Sequence, residues 1–137
     1  MRLIECTADD VPELAAMNKR LIDDEKSGNP MDLEQLRERM RGFLAGEYSA
    51  YFFAEGDEHI GYALVRNTAQ PLYLRQFYIA DAHRRRHCGT QAFRLLLERL
   101  GTDTIDVDVL PWNGPGLAFW KSCGFEEICV SMRFRAR

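Results

Sequence analysis

A basic loop in the second half of the chain has the composition of an anion-binding site. In order, its residues are Arg84, Arg85, Arg86, His87, Cys88, Gly89 and Thr90. An amphipathic helical pattern follows at once, so the first N–H groups of that helix would be unpaired donors at the positive end of its dipole. Gly89 would permit close approach to the backbone, and the arginines would attract a polyanion. We therefore predict phosphate binding here, with a solvated basic turn or an RNA-contacting patch as alternatives.

Two aspartates further along the chain have the spacing needed for acid–base chemistry. In a strand over residues 104–110, alternation puts Asp106 and Asp108 on one face and apolar side chains on the other. Two neighbouring carboxylates can raise one of their pKa values towards the range useful to a general base. An exposed strand face, or an ion pair with a nearby arginine, would explain the same pattern without catalysis.

Other polar groups are weaker candidates. The acidic run Asp23-Asp24-Glu25 would attract a cationic amine, although a solvated helix end explains it equally well. The four cysteines and three histidines have no metal-ligand spacing, so we predict no metal site and expect reduced thiols. The tyrosines at 62, 73 and 78 are expected to pack in the core, with one of them still able to serve as an acid.

The period of the apolar residues predicts the elements that position these groups. In chain order they are a strand at 3–7, helices over 11–22 and 33–44, strands at 51–55, 60–66 and 73–79, a helix over 90–100, a strand at 104–110, a helix over 116–122 and a last strand at 128–134. The basic loop then connects the strand at 73–79 to the helix over 90–100. Asp108 lies on the strand that follows this helix.

Two motifs in this order resemble those of the GCN5-related N-acetyltransferases, the GNAT superfamily. The first is Arg84-x-x-His87-x-Gly89 after a strand, where the family usually has Gln/Arg-x-x-Gly-x-Gly/Ala. The second, with the family's spacing, consists of Asn113, Gly116, Phe119, Trp120, Gly124 and Phe125. The resemblance covers residues from about 50 to 130.

The resemblance implies that acetyl-CoA is the cosubstrate. In the family the pantetheine arm pairs with the strand before the loop, here Phe77, Tyr78 and Ile79, and the pyrophosphate rests on the amides of the loop. Asn113 and Trp120 are the other residues expected at the cofactor. The implied fold is mixed α/β, with a mostly antiparallel sheet of six or seven strands and helices on both faces. The strands at 73–79 and 104–109 should run parallel, joined by the helix over 90–100 as a right-handed crossover.

Two positions depart from the family pattern, and a third matches it in one subgroup. His87 replaces the first motif glycine, and histidine tolerates a positive φ less well than glycine. Trp120 stands where a tyrosine usually protonates the departing CoA thiolate, and an indole N–H is no acid near neutral pH. Asp108 matches the position of the catalytic glutamate in the ribosomal-protein alanine acetyltransferases of this superfamily. We therefore predict Asp108 as the catalytic residue.

Charge and hydropathy limit the remaining function classes. The net charge of −3 is too small to suggest non-specific nucleic-acid binding. Its distribution is uneven, with 8 basic against 14 acidic residues over 1–70 and 10 against 7 over 71–137. CoA carries several negative charges, which suits the basic half. No apolar run reaches the roughly 18 residues of a membrane span and the N-terminus lacks a signal-peptide core, so we expect a cytoplasmic protein without membrane partners.

The most favoured function is that of a single N-acetyltransferase domain over residues 1–137. It would transfer acetyl from acetyl-CoA to a primary amine of a small molecule or peptide, without a metal or a nucleic-acid partner. A CoA-binding module with little transferase activity is the alternative, because of Trp120, and an RNA-binding domain rests only on the arginines. The amine is not identifiable from these residues, and a homodimer would be common among small members of the superfamily.

Overall fold

Five strands form one sheet that carries α-helices on both faces. The computed structural model describes the backbone of residues 1–137 and every side chain except those of Arg85 and Arg86. The elements are β1 (Arg2–Glu5), α1 (Val11–Glu25), α2 (Leu33–Ala45), β2 (Tyr48–Glu55), β3 (Glu58–Arg66), β4 (Leu72–Ile79), α3 (Cys88–Leu100), β5 (Ile105–Val107) and α4 (Gly114–Ser122), with 3-10 turns at Ala8–Asp10 and Asp81–Arg86. The mixed α/β fold is thereby confirmed.

The sheet has the strand order β1-β2-β3-β4-β5. Neighbours from β1 to β4 run antiparallel, whereas β4 and β5 run parallel with α3 between them in the chain. The predicted parallel pair is therefore confirmed. The strand count is five rather than six or seven, and β5 is three residues long rather than seven, so that Asp108 lies just beyond its end.

The predicted last strand is wrong for the chain as described. The backbone of 126–137 forms neither helix nor strand, although its side chains alternate as a strand would. A strand needs hydrogen bonds from a neighbour, and in this structure the segment lies beside none. Its apolar side chains are exposed to solvent, as Val130 at 75% and Met132 at 93% illustrate.

Two apolar clusters cover the two faces of the sheet. One joins α1 and α2 to residues such as Phe52 and Tyr62, and the other joins α3 to Phe53 and Ile60. Adjacent residues of β2 alternate between the clusters because successive strand side chains point to opposite faces. None of the described helices has the length and apolarity needed to cross a membrane.

Two of the helices begin or end at characteristic residues. Asp32 and Gln35 form a reciprocal capping box at the start of α2. At the end of α4, Gly124 has a φ of +100° and its N–H donates to the Lys121 carbonyl oxygen over 3.0 Å. Glycine adopts this conformation without the cost that a Cβ would impose, so the helix stops before 125.

Candidate active site

A cleft opens where β4 and β5 separate. The two strands pair only from Leu72 with Ile105 to Leu74 with Val107, whereas β4 continues to Ile79. Within the described backbone, the last five residues of β4 thus have no strand beside them on the β5 side. The backbone groups that these residues direct away from β3 face an extended ligand, as the resemblance predicts for Phe77, Tyr78 and Ile79, except that the Ile79 carbonyl oxygen accepts from Arg84.

A bulge in β4 lies at the point where this cleft begins. Leu64 of β3 pairs with Gln76 and Val65 pairs with Leu74, so Arg75 is an extra residue without a β3 partner. As a result Leu74 joins the core on the α3 side, and Gln76 accepts a 2.7 Å hydrogen bond from Tyr62 on the opposite face. The bulge redirects the side chains of β4 at the mouth of the cleft.

The backbone of the basic loop presents amide donors at the start of α3. The first helical hydrogen bond runs from the Gln91 N–H to the His87 carbonyl oxygen, so the amides of Cys88, Gly89 and Thr90 have no acceptor within the helix. His87 caps the helix with a φ of +57°, the left-handed conformation that a motif glycine would adopt. The histidine substitution therefore keeps the backbone geometry of the loop, at some conformational cost.

Arg84 is engaged by the protein itself. Its Nε donates to the Ile79 carbonyl oxygen over 2.7 Å and its guanidinium contacts the Asp24 carboxylate at 2.5 Å. The guanidinium also lies 5.6 Å from the centre of the Tyr78 ring. Arg84 thus joins the end of α1 to the end of β4, which orients the loop. The predicted contributions of Arg85 and Arg86 depend on side chains outside the described part of the structure.

Gly89 faces the protein interior at its α-carbon. A Cβ placed there would lie 2.9 Å from the Phe119 ring, closer than real Cβ contacts. The glycine therefore allows α3 to approach α4. From the sequence, we expect a glycine at this position because it lets a ligand approach the backbone closely. Packing against Phe119 is a second reason for the glycine.

Trp120 belongs to an aromatic cluster at the base of the cleft. Its ring lies 5.1 Å from that of Phe77 and 5.4 Å from that of Phe93, both edge-on. The rings of Phe119 and Phe125 complete the cluster at 4.8 and 5.0 Å from Trp120. Trp120 and Phe77 therefore form an apolar wall, in keeping with a role in shaping the site rather than in proton transfer.

Asn113 caps the helix that carries Trp120. Its side-chain oxygen accepts a 3.0 Å hydrogen bond from the Gly116 N–H at the start of α4. A Cβ at position 116 would meet the Asn113 carboxamide, so a larger residue there would displace the capping side chain. The spacing from Asn113 to Gly116 in the second motif is thus explained by a helix cap.

Asp108 accepts a hydrogen bond across the cleft from a residue of β4. The Tyr73 hydroxyl donates to Asp108 Oδ2 over 2.8 Å. Burial and this bond to the carboxylate raise the pKa of Tyr73 to about 12, so the phenol stays protonated near neutral pH. Asp106 is opposite Tyr73 in the strand register, and Ile105 and Val107 pack on the other face. The predicted division of β5 into a carboxylate face and an apolar face is confirmed.

A small cavity of about 40 Å³ connects Asp108 to the end of α1. Its lining includes Glu25, Arg75 and Trp120 as well as Asp108. Burial raises the pKa of Glu25 above its usual value, and the negative charge of Asp24 raises it further. The indole of Trp112 donates to the Glu25 carbonyl oxygen over 3.2 Å, which holds the end of α1 against the segment after β5. The cavity has room for about one water-sized group between two carboxylates.

A larger cavity lies elsewhere and contains none of the predicted residues. It has a volume of about 410 Å³ and is lined by the end of β1, the end of α2 and the start of β2. Among the described side chains, no group of three or more His, Cys, Asp or Glu is arranged to hold a metal ion.

Two residues of the cleft, Tyr73 and Glu25, were only weaker candidates from the sequence, Tyr73 as a possible acid and Glu25 as part of the acidic run. Aligning the predicted strands 73–79 and 104–110 in parallel would have brought Tyr73 close to the two aspartates. The position of Glu25 beside Asp108 depends on where α1 ends relative to the sheet, which no local pattern specifies.

Comparison with known proteins gives one family and many similar structures. The family model of the GNAT acetyltransferases matches residues 14–125, which is most of the chain. The comparison with curated proteins gave no match.

Three solved structures illustrate the structural similarity. A possible acetyltransferase from Clostridium difficile 630 has 16% sequence identity and a TM-score of 0.80, over 99% of this chain and 97% of its own. An aminoglycoside 6'-N-acetyltransferase from Acinetobacter haemolyticus has 15% identity and a TM-score of 0.77, over 100% and 99% of the two chains. A structure of AAC(6')-Iy with the bisubstrate analogue CoA-S-monomethyl-acetylneamine has 14% identity and a TM-score of 0.76, over 99% and 97%. At these identities the similarity establishes the fold.

Proposed function

Because the chain belongs to the acetyltransferase (GNAT) family, we propose that it transfers the acetyl group of acetyl-CoA to a primary amine. The observation that carries this proposal is the cleft between β4 and β5, with the loop amides at one end and the Asp108 carboxylate at the other. The similar structure of AAC(6')-Iy contains a CoA-based bisubstrate analogue, which supports CoA as the cosubstrate.

Three parts of the chain would bind acetyl-CoA. The amides of Cys88, Gly89 and Thr90 would donate to the pyrophosphate at the N-terminus of α3. The free side of β4 at Phe77–Ile79 would pair with the pantetheine arm and polarise the thioester carbonyl through its N–H groups. The apolar wall of Phe77 and Trp120 would border the acetyl group.

The reaction is a direct attack of the neutral amine on the thioester carbon. A C–N bond forms, the C–S bond breaks, CoA leaves as a thiolate, and the amine loses one proton. Since an ammonium with a pKa near 10 is almost fully charged at pH 7, it must first lose a separate proton to become the attacking amine, and this earlier removal is the main obstacle. Asp108 would accept that proton, through water in the small cavity, while Tyr73 keeps the carboxylate oriented. Solvent would protonate the thiolate, because Trp120 offers no acidic proton.

The acceptor class follows from the charges around the cavity. Glu25 and Asp108 both line it, so an ammonium group would be attracted before it loses its proton. We infer a primary amine of a small molecule or peptide on this ground. Arg75 on the same lining limits the excess of negative charge, so acceptors with many cationic groups are not specially favoured.

A CoA-binding module with little transferase activity is the second candidate. The observation in its favour is Trp120, which is packed into the aromatic cluster where the family usually has its acidic tyrosine. In either case residues 1–137 would act as one domain, and a homodimer is part of the proposal. The cytoplasmic location stays a prediction from the sequence.

Two measurements on the same preparation test the proposal. Retention on immobilised CoA reports cofactor binding, and release of free CoA thiol from acetyl-CoA with a panel of primary amines reports transfer. Amine-dependent thiol release with an acetylated product supports the enzyme. Retention without release for any amine supports the binding module, and loss of retention rejects both.

A further inference from the structure

Two arginine side chains, one from α2 and one from β4, lie together beside the mouth of the cleft. The guanidinium of Arg39 is 5.5 Å from the centre of the Phe43 ring, and that of Arg75 is 4.9 Å from the same ring. Arg75 Nη1 also donates to the Tyr48 hydroxyl over 3.3 Å. The bulge at position 75 explains this placement, because it leaves the side chains of Arg75 and Gln76 on the same face of β4.

This arginine pair, Arg39 and Arg75, has no carboxylate partner among the described side chains. By contrast, Arg41 on the same helix as Arg39 lies 2.7 Å from Glu38. The hydrogen bond that Arg39 Nη2 makes, over 3.0 Å, goes to the neutral side chain of Asn18. Two positive charges are thus held close together by neutral groups and an aromatic ring.

The burial of Arg39 makes its uncompensated charge unfavourable. Its Nε is shielded from solvent and has no hydrogen-bond acceptor within the described structure. Burial and the positive charge of Arg75 both lower the pKa of the Arg39 guanidinium. Because arginine stays charged near neutral pH, the two guanidiniums repel each other until an anion lies against them. A carboxylate is the anion whose two oxygens match the planar fork of a guanidinium.

The arginine pair adjoins the two carboxylates of the small cavity. Arg75 lines this cavity of about 40 Å³ together with Glu25 and Asp108. The two carboxylates suit an ammonium group, and the guanidinium suits a carboxylate on the same molecule. The cavity has room for the ammonium group alone, and the exposed side chain of Arg75 lies where the rest of the molecule would remain outside.

We propose that the acceptor is an amino acid, whose carboxylate binds to Arg75 with Arg39 beside it while its amine faces Asp108. The proposal rests on the proposed acetyl transfer and names its substrate class. The acetyl group moves from the CoA sulfur to the amine nitrogen as before, and the products are an N-acetylamino acid and CoA. The carboxylate takes no part in bond formation. It supplies the negative charge that the arginine pair lacks.

The test compares each amino acid with its own carboxamide as acceptor. The probes are the L-amino acids and β-alanine with their amides, and the readout is release of CoA thiol from acetyl-CoA. The amine of the amide has the lower pKa, so without recognition of the carboxylate the amide would be the better acceptor. We expect kcat/KM for the preferred amino acid to exceed that of its amide by about 10-fold or more.

Variants of the arginine pair connect this preference to the site. Arg75→Gln should lower the ratio of acid to amide by about 10-fold or more, mainly through KM, and Arg75→Lys should retain part of it. Arg39→Gln should lower the ratio by a smaller factor, because Arg39 acts beside Arg75. The matched control is Arg99→Gln, which removes a positive charge that pairs with Glu5 at the opposite edge of the sheet. It should leave the ratio unchanged.

Calorimetry separates this proposal from the transfer reaction. It measures binding of each amino acid and its amide to the protein saturated with CoA, where no transfer occurs. Amine acetylation that favours the amides, or a ratio that survives Arg75→Gln, would overturn the carboxylate site and leave the acetyl transfer intact. Absence of thiol release with every amine would reject the transfer. In that case, tighter binding of the acids that Arg75→Gln removes would support the carboxylate site, and equal binding of acids and amides would overturn it.

Discussion

The Tyr73 hydroxyl and Asp108 Oδ2 lie 2.8 Å apart and connect β4 to the residue that follows β5. Tyr73 still pairs with Asp106 in the strand register, and Asp108 lies one residue beyond the last pair, so the hydrogen bond is made where the cleft begins. Because Tyr73 keeps its proton, it acts as a fixed donor that holds the Asp108 carboxylate in one orientation. This pair is the basis of the catalytic predictions.

Removing the carboxylate of Asp108 should impair turnover and spare cofactor binding. We expect Asp108→Asn to lower kcat/KM by about 10²-fold or more, the usual scale for a lost general base. The CoA dissociation constant, measured by calorimetry, should stay nearly unchanged. Asp106→Asn is the matched control, one position along the same face, and should have a much smaller effect. Wild-type turnover of Asp108→Asn from about pH 6 to 9 would exclude Asp108 as the base.

The raised pKa of Tyr73 predicts a loss of stability in alkali. Below pH 10 the phenol is protonated in both the folded and the unfolded chain, so its contribution to stability is constant. Between pH 10 and about 12 the unfolded state releases the proton and the folded state keeps it, so stability falls as the pH rises. Urea unfolding at a series of pH values should give a shallower decline for Tyr73→Phe than for the wild type. Parallel declines for the two proteins would show that the Tyr73 phenol ionises equally in both states.

Trp120 should contribute shape and packing, with no role in proton transfer. Trp120→Phe keeps an aromatic ring in the cluster, so we expect kcat/KM to fall by less than about 10-fold, with the same pH profile. Trp120→Leu removes the edge-on contacts with Phe77 and Phe93 and should also lower the free energy of unfolding, by about 1–3 kcal/mol. Loss of all activity in a folded Trp120→Phe protein, with an altered pH profile, would contradict this assignment.

Local patterns in the sequence predicted the parts of the site that depend on one element. The carboxylate face of β5 follows from strand alternation, and the amide donors before Gln91 follow from the position where α3 begins. Contacts between elements were beyond such patterns. The bond between Tyr73 and Asp108 joins residues 35 positions apart, and it depends on the parallel register of β4 and β5.

The last strand was predicted wrongly for a related reason. Alternation at Ile128, Val130 and Met132 specifies two faces, but it does not specify a partner strand. Pairing depends on which edge is within reach, and in this structure the segment after Phe125 pairs with no strand. The pattern describes a strand whose neighbour is not determined by the sequence around it.

Gly89 should act mainly through its contact with Phe119. A Cβ at position 89 would lie 2.9 Å from the ring, so Gly89→Ala overpacks the contact between α3 and α4, at a cost of about 1–3 kcal/mol. Alanine is the better helix former and offsets about 1 kcal/mol of this, so we expect a net loss of about 1 kcal/mol in the free energy of unfolding.

In a Phe119→Leu background the ring is gone, and the same Gly89→Ala change should become neutral or stabilising. A thermodynamic cycle over these four proteins measures the coupling. Overpacking would displace the first turn of α3 and its amide donors, so we expect CoA affinity to be weakened in Gly89→Ala and restored in the double variant relative to Phe119→Leu alone. Affinity that stays weak in a stable double variant would mean that the added methyl group obstructs the phosphate, and that the glycine is required for ligand approach instead.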